Sequence, residues 1–197
     1  MQREKSKLLA ELLRKTENTT AAAKKLKTLH NSQLHFKPTE DAWSILQCIE
    51  HLNLYGDFYL PEMEKQLLTG NHTGATTLFK SGLIGNYFAN LMKVKNGNLK
   101  KMKALKDKMP AASGLSVTTI DRFLKQQELL KNLLAQAQHA DLTKTKTAIS
   151  LTRFIRLRLG DTLRFFVYHI ERHMLQAEKL AQQVVACQHH LTQAETA

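Results

Sequence analysis

The sequence predicts an all-α protein, an antiparallel four-helix bundle with a long crossover between its second and third helices. Glycine and proline are sparse, with only 8 Gly and 3 Pro in 197 residues, whereas a sandwich of many short strands needs frequent turn residues. Four segments carry apolar residues at helical spacing. A hydrophobic fraction of 43% and a charged fraction of 23% are typical of an ordinary globular protein. We therefore expect one domain over residues 1–197.

The four long helices are predicted from stripes of leucine, alanine and aromatic residues. Their expected bounds are 2–30, 41–68, 119–139 and 161–190. Thr39, Glu40 and Asp41 suit the start of the second helix, and Asp161, which follows Gly160, is a suitable cap for the fourth. Pro61 lies inside the second helix, where we expect it to kink or divide the helix.

Residues 70–116 form the least regular part of the chain, because they contain six of the eight glycines. We predict an irregular crossover, the kind of connection that covers or gates a site. A short helix is expected inside it at 83–92, and residues 98–108 add another turn or two. Between the third and fourth helices, residues 148–158 partly alternate apolar and polar side chains, a pattern compatible with an extended segment.

The chain is basic, with 29 Lys and Arg against 17 Asp and Glu and a net charge of +12. Two stretches, 93–108 and 144–158, carry most of the unbalanced positive charge. This distribution favours anionic partners, whether small ligands, nucleic acid or an acidic protein. The lysine run at 93–108 matches no nucleic-acid-binding motif, so a solvated basic crossover is the favoured interpretation and a nucleic-acid partner is not expected.

The sequence also indicates where the protein resides. No segment approaches the roughly 18 consecutive apolar residues of a membrane span, and the charged N-terminus lacks the apolar region of a secretory signal. The only cysteines are Cys48 and Cys187, and neither belongs to a CxxC pair. We therefore expect a cytoplasmic protein with reduced thiols. Cys48 is predicted to be a small core residue rather than a nucleophile, and 187–190 a polar tail rather than a metal site.

Three histidines are the candidate site residues. His169 and His173 are four residues apart on the fourth predicted helix, so they project from one face beside its apolar stripe. His51 lies on the second helix, on the ridge of Trp43, and is also expected in the interior. Buried imidazoles need partners. The pattern leaves open whether they bind a metal or are core histidines with other partners, and spacing does not place His51 opposite the other two.

A family resemblance bears on this choice. Residues 36–53, which run from a proline through Trp-Ser to Glu-His-Leu, resemble the second-helix motif of the DinB-like (DinB/YfiT) superfamily. Residues 159–176, with a His-x-x-x-His pair followed by glutamine, resemble its last-helix motif. The order, separation and long crossover also match, so the resemblance covers essentially the whole chain. It implies a four-helix bundle and a metal, commonly nickel or zinc, held by His51, His169 and His173.

The resemblance also implies a chemistry, since several relatives are S-transferases that use bacillithiol or mycothiol, or thiol-dependent isomerases. Three protein ligands and an open position are typical of a catalytic metal, which lowers the pKa of water or of a thiol. Gln176 is the candidate catalytic residue, because it could hydrogen-bond a ligand or the bound water. Glu50 is a weaker candidate, about 100° around the helix from His51. Glu171 is expected to face away.

We therefore predict a metal-dependent thiol S-transferase or hydrolase. Its cofactors would be a divalent metal, zinc or nickel, and in the transferase case a low-molecular-weight thiol. Its partner would be a small-molecule substrate, anionic if the basic charge guides binding, and a homodimer is an alternative to a monomer. Two other hypotheses stay open: a non-enzymatic helical protein whose basic surface binds nucleic acid or an acidic partner, and a metal that only braces the helices.

Overall fold

The structure, a computed structural model, describes residues 2–70, 76–94, 97, 102 and 104–195, with the backbone alone at 153 and 185–195. Within these residues the chain is predominantly helical, with six α-helices and two small antiparallel sheets. The helices are α1 (Lys5–Leu26), α2 (Asn31–His35), α3 (Ile45–Thr69), α4 (Leu83–Met92), α5 (Val117–Gln136) and α6 (Leu159–Glu195). The strands are β1 (Gln2–Glu4), β2 (Leu78–Lys80), β3 (Lys146–Ile149) and β4 (Thr152–Arg158). Single 3₁₀ turns occupy Lys106–Lys108 and Ala137–His139.

The four long helices pack on one another around a shared apolar core. α3 contacts both α5 and α6, α1 contacts the same two helices, and α4 packs on α6. The core consists mainly of leucine, isoleucine and aromatic side chains from these helices. The predicted helical class is thereby confirmed in its coarse form, whereas the antiparallel four-helix bundle and the single domain over the whole chain stay predictions. None of the described helices has the length and apolar character to cross a bilayer.

The predicted starts of the first and second helices were wrong, each because a specific contact fixes the chain. Gln2–Glu4 is a strand and not helix, since β1 pairs antiparallel with β2. α3 begins at Ile45, because Ser44 forms a capping box with Gln47. The Gln47 amide donates to the Ser44 hydroxyl at 3.2 Å, and the Gln47 side chain accepts from the Ser44 amide at 3.1 Å. Pro61 does not divide α3, which continues to Thr69.

Within the crossover, the short helix predicted at 83–92 is confirmed as α4. The turn predicted within 98–108 is present at Lys106–Lys108, while 98–101 and 103 lie outside the described residues. The segment expected to be extended at 148–158 forms most of the hairpin of β3 and β4, which has an irregular register at Ala148/Ile149.

The start of α6 differs from its prediction. β4 ends at Arg158 and the helix begins at once with Leu159, so Asp161 lies inside the first turn and is no cap. Its carboxylate is fully buried and accepts hydrogen bonds from Ser81, from the Gly82 amide at 2.8 Å and from Arg164 at 3.1 Å. Asp161 therefore joins α6 to the crossover, a contact that the local sequence does not indicate.

The close approach of α4 to α6 gives a stability prediction at Gly85. A Cβ atom there would lie 2.5 Å from the Cβ and Oδ2 atoms of Asp161, which its three partners hold in place. We expect Gly85→Ala to lower the free energy of unfolding by about 1–3 kcal/mol, the usual cost of overpacking. Urea denaturation at equilibrium measures the change.

Gly56→Ala is the matched control, since it also places a methyl group in a helix at a crowded position. The atoms nearest to its Cβ would belong to the amide end of Gln126, a flexible side chain that can rotate away. The gain in helix propensity, about 1 kcal/mol, offsets the displaced contacts. Equal loss of stability in both variants would show that Asp161 is not held as described.

Candidate metal centre

α3 and α6 bring the three predicted histidines together. His51 projects from α3, and His169 and His173 project from one face of α6. One ligand-capable atom of each residue lies within 4.8 Å of those of the other two. The ring centroids are 5.1 Å apart for His51 and His169, 4.6 Å for His51 and His173, and 4.7 Å for His169 and His173. His51 and His169 are only 2% and 4% exposed, and His173 is half-buried.

Two neighbouring groups determine where the rings carry their protons. Nδ1 of His51 lies 2.7 Å from the carbonyl oxygen of Lys108. A carbonyl only accepts, so Nδ1 is the donor and Nε2 of His51 keeps its lone pair. Nδ1 of His173 likewise donates to Oε1 of Gln176 at 3.1 Å, so Nε2 of His173 carries no proton and keeps its lone pair. Metal-bound histidines are held by the same kind of contact.

Burial keeps these imidazoles neutral. Desolvation lowers the pKa of His51, and it lowers the pKa of His173 to about 3. The pKa of His169 falls well below 6.5, first through desolvation and then through the charges that His173 and His51 would carry. All three imidazoles are therefore uncharged at neutral pH, each with one nitrogen free to bind, which is the state in which histidine binds a metal.

The geometry fits a divalent cation. Nε2 of His51 and Nε2 of His169 face each other at 3.3 Å. Ligand nitrogens about 2.0–2.1 Å from a tetrahedral metal are roughly 3.3–3.5 Å apart, so this pair already has the required separation. Nδ1 of His169 is buried and has no hydrogen-bond partner among the described residues. Three imidazole nitrogens form a donor set that suits zinc or nickel.

The histidines line a cavity of about 710 Å³, within the usual range for small-molecule sites. Its other described walls come from the α2–α3 connection, α3, the crossover and α6. They comprise Pro38, Thr39, Asp41, Ala42, Trp43, Tyr55, Met92, Met102, Ala104, Arg172, Gln176 and Leu180. A ligand in this cavity would therefore lie directly against the histidine cluster.

Aromatic rings surround the cluster and restrict how the imidazoles turn. The Trp43 ring is 4.8 Å from that of His51 and 5.9 Å from that of His173. Phe165 stacks on His169 with an interplanar angle of 6°. Trp43 packs, partly buried, against the core and also forms a wall of the cavity.

The remaining candidates lie away from the cluster. Glu50 accepts from Arg122 at 3.2 Å and from Asn53 at 3.1 Å, so its carboxylate is engaged elsewhere. Glu171 faces away as predicted and forms an ion pair with Lys15 of α1. Cys48 is fully buried, and burial raises the pKa of its thiol to about 12. The thiol is thus protonated at neutral pH, as expected of a core residue.

Sequence reasoning missed three residues at the site. Lys108 contributes a backbone carbonyl from the crossover, which no side-chain pattern could indicate. Tyr55 lies one helical turn after His51, and its ring centroid is 4.3 Å from that of His169. Arg172 lies about 60° around α6 from His169, so helical periodicity could have placed it at the cavity.

The structure describes the two basic stretches, 93–108 and 144–158, only in part. Of the lysine run, Lys95, Lys100, Lys101 and Lys103 lie outside the described residues, as do the side chains of 187–190 and Arg153. Nζ of Lys93 lies 5.9 Å from the ring centroid of Tyr168, and that of Lys108 is 3.5 Å from Asp107. The hypothesis of a nucleic-acid or acidic-partner surface therefore stays a prediction.

Comparison with known proteins shows which family the chain belongs to. No curated protein and no solved structure matches the chain significantly. The family profile of the DinB superfamily matches residues 12–177, a segment that contains all three histidines and Gln176. The match covers most of the chain and agrees with the resemblance of the two helical motifs. The chain belongs to the DinB superfamily.

Proposed function

We propose that this protein is a metal-dependent enzyme in which His51, His169 and His173 bind one divalent metal ion, zinc or nickel. The observation that carries the proposal is the cluster of three neutral imidazoles, within 4.8 Å of one another, on the wall of a cavity. No fourth His, Cys, Asp or Glu of the described residues joins the cluster. Three protein ligands and an adjoining cavity support a catalytic metal site. A structural metal site is usually closed by four protein ligands.

The reaction class follows from the groups that line the cavity. A metal in such a site supplies Lewis acidity, which makes a nucleophile of water or of a thiol at neutral pH. The described lining contains no cysteine or serine, and Cys48 is buried away from it. Thr39, Asp41 and Tyr55 also line the cavity, and we propose that the nucleophile comes instead from outside the chain. A low-molecular-weight thiol makes the protein an S-transferase, the activity we favour, and water makes it a hydrolase.

The chain contributes binding and orientation. Apolar side chains such as Trp43, Met92 and Leu180 line the cavity and would contact the carbon skeleton of a small-molecule substrate. The Lys108 carbonyl and the Gln176 amide oxygen keep a proton on Nδ1 of His51 and His173. Gln176 thus serves as a positioning residue, and a contact of its amide with the substrate is a further part of the proposal.

Metal analysis gives the first prediction. We expect one equivalent of zinc or nickel per purified wild-type chain, and less than a tenth of an equivalent in His169→Ala and His173→Ala after the same dialysis. The reason is that two imidazoles leave too few ligands to retain the ion. Elemental analysis by mass spectrometry measures the content.

His35→Ala is the control variant, because His35 is exposed and outside the cluster. It should retain the wild-type metal content, and far-UV circular dichroism should show that all variants are folded. Equal metal content in the wild type and the cluster variants would remove the metal site from the proposal.

The hydrogen bond between Gln176 and His173 gives a second prediction. Gln176→Leu removes the acceptor that holds the His173 ring, so we expect the affinity for zinc to fall by about 10- to 100-fold. Gln176→Glu keeps an acceptor and should bind zinc within a few-fold of wild type. A chelator competition titration measures both. Gln182→Leu, the same change at an exposed position of α6, should have no effect. A wild-type affinity in Gln176→Leu would show that the contact does not position the ligand.

The activity itself is tested with model reactants. We expect the metal-loaded protein to accelerate conjugation of a cysteine-based thiol, such as glutathione or bacillithiol, to chlorodinitrobenzene, and His173→Ala to abolish the acceleration. Absorbance of the conjugate follows the reaction. Hydrolysis of nitrophenyl esters without thiol dependence would favour the hydrolase instead. Metal-loaded protein that is inactive in both assays would favour a metal that only braces the helices.

A further inference from the structure

Arg172 lines the same cavity and has no acidic partner among the side chains that the structure describes. It lies on α6 between His169 and His173 and is only 7% exposed. Every Asp and Glu side chain of the chain except Glu195 is described, and none of them forms an ion pair with Arg172. Burial lowers the pKa of Arg172, and no carboxylate acts to raise it. The guanidinium nevertheless stays charged, because the pKa of arginine ordinarily lies far above neutral pH.

The other buried arginine of α6, Arg164, shows how a buried guanidinium is normally paired. Arg164 is 2% exposed, and its guanidinium donates to Asp161, Ser81 and Asn86, each at 3.1 Å, and to Asn90 at 3.4 Å. Charges that fold into a protein interior are normally paired in this way, because desolvation is costly. Arg172 is only 7% exposed and lines the cavity, yet it forms no ion pair with any described acidic side chain.

The neighbouring histidines supply no negative charge to balance Arg172, because both are neutral. The charge of Arg172 is close enough to lower the pKa of both His169 and His173. A divalent cation on the histidines would add two further positive charges to the same cavity. The only carboxylate in the described lining is Asp41, which is exposed and not paired with Arg172. An anion that enters the cavity would therefore complete a charge arrangement that the described part of the chain leaves unbalanced.

We propose that Arg172 binds an oxyanion of the substrate, so that the protein acts on small molecules that carry a carboxylate, phosphate or sulfonate. The planar guanidinium suits such groups because it donates two parallel hydrogen bonds to them. With the anionic end on Arg172, the rest of the molecule lies toward the histidines. The assignment of this anion to a substrate rests on the proposed function, whereas anion binding at Arg172 does not require catalysis.

Calorimetric titration of the full chain tests the proposal. Succinate and inorganic phosphate are titrated separately into wild-type protein, metal-loaded and metal-free, at an ionic strength held constant with chloride. We expect at least one of the two to bind, and Arg172→Gln to weaken that binding by roughly 10- to 100-fold, the range for a lost charge-assisted contact. Arg172→Lys keeps the charge but lacks the two parallel donors, so its affinity for the anion should lie between those of wild type and Arg172→Gln. Arg14→Gln removes an exposed arginine from α1 and should bind as wild type does.

The outcomes separate this proposal from the metal site. Binding of phosphate alone or of succinate alone supports it and identifies the type of anion. It is overturned if neither probe binds wild type, or if Arg172→Gln binds as tightly as wild type. Metal content is measured on the same samples and should be unchanged in Arg172→Gln. If wild type holds no metal, the proposed function fails, while the titration of metal-free protein still decides the role of Arg172.

Discussion

The site depends on one contact across the helical interface, where Nε2 of His51 on α3 faces Nε2 of His169 on α6 at 3.3 Å. Both imidazoles stay neutral, first because burial disfavours the charged form and then, for His169, because a charge on His51 would repel its own. The stacked ring of Phe165 and the neighbouring ring of Trp43 restrict their rotation. The packing of α3 on α6 therefore sets the distance between the ligands, and any change in that packing changes the site.

The helical regions could be predicted because their apolar spacing is a local property of the sequence. Errors arose where a distant segment determines the local conformation. Gln2–Glu4 has the composition of a helix start, but it pairs with Leu78–Lys80, some seventy residues away. Asp161 resembles a helix cap, but Ser81 and Gly82 of the crossover draw its carboxylate into the interior. Periodicity contains no information about such partners, since they depend on how the completed fold brings segments together.

The site was predictable to a similar extent. Helical spacing alone placed His169 and His173 on one face, whereas only the family resemblance connected them with His51. The carbonyl of Lys108 could not be foreseen, because every residue has one and its use depends on the path of the crossover. Arg172 could have been foreseen from its angle on α6. The sequence alone does not distinguish it from a solvent-exposed arginine, because its burial depends on the completed fold.

The crossover contributes to both the stability and the chemistry of this fold. At its beginning, Ser81 and Gly82 bind the buried Asp161 and so fix the start of α6. Toward its end, the Lys108 carbonyl fixes the proton on His51. Between these points Met92 and Met102 line the cavity. The histidines come from α3 and α6, whereas Met92 and Met102 belong to the crossover. A change at either methionine can therefore alter which small molecules fit the cavity without replacing any of the three imidazoles.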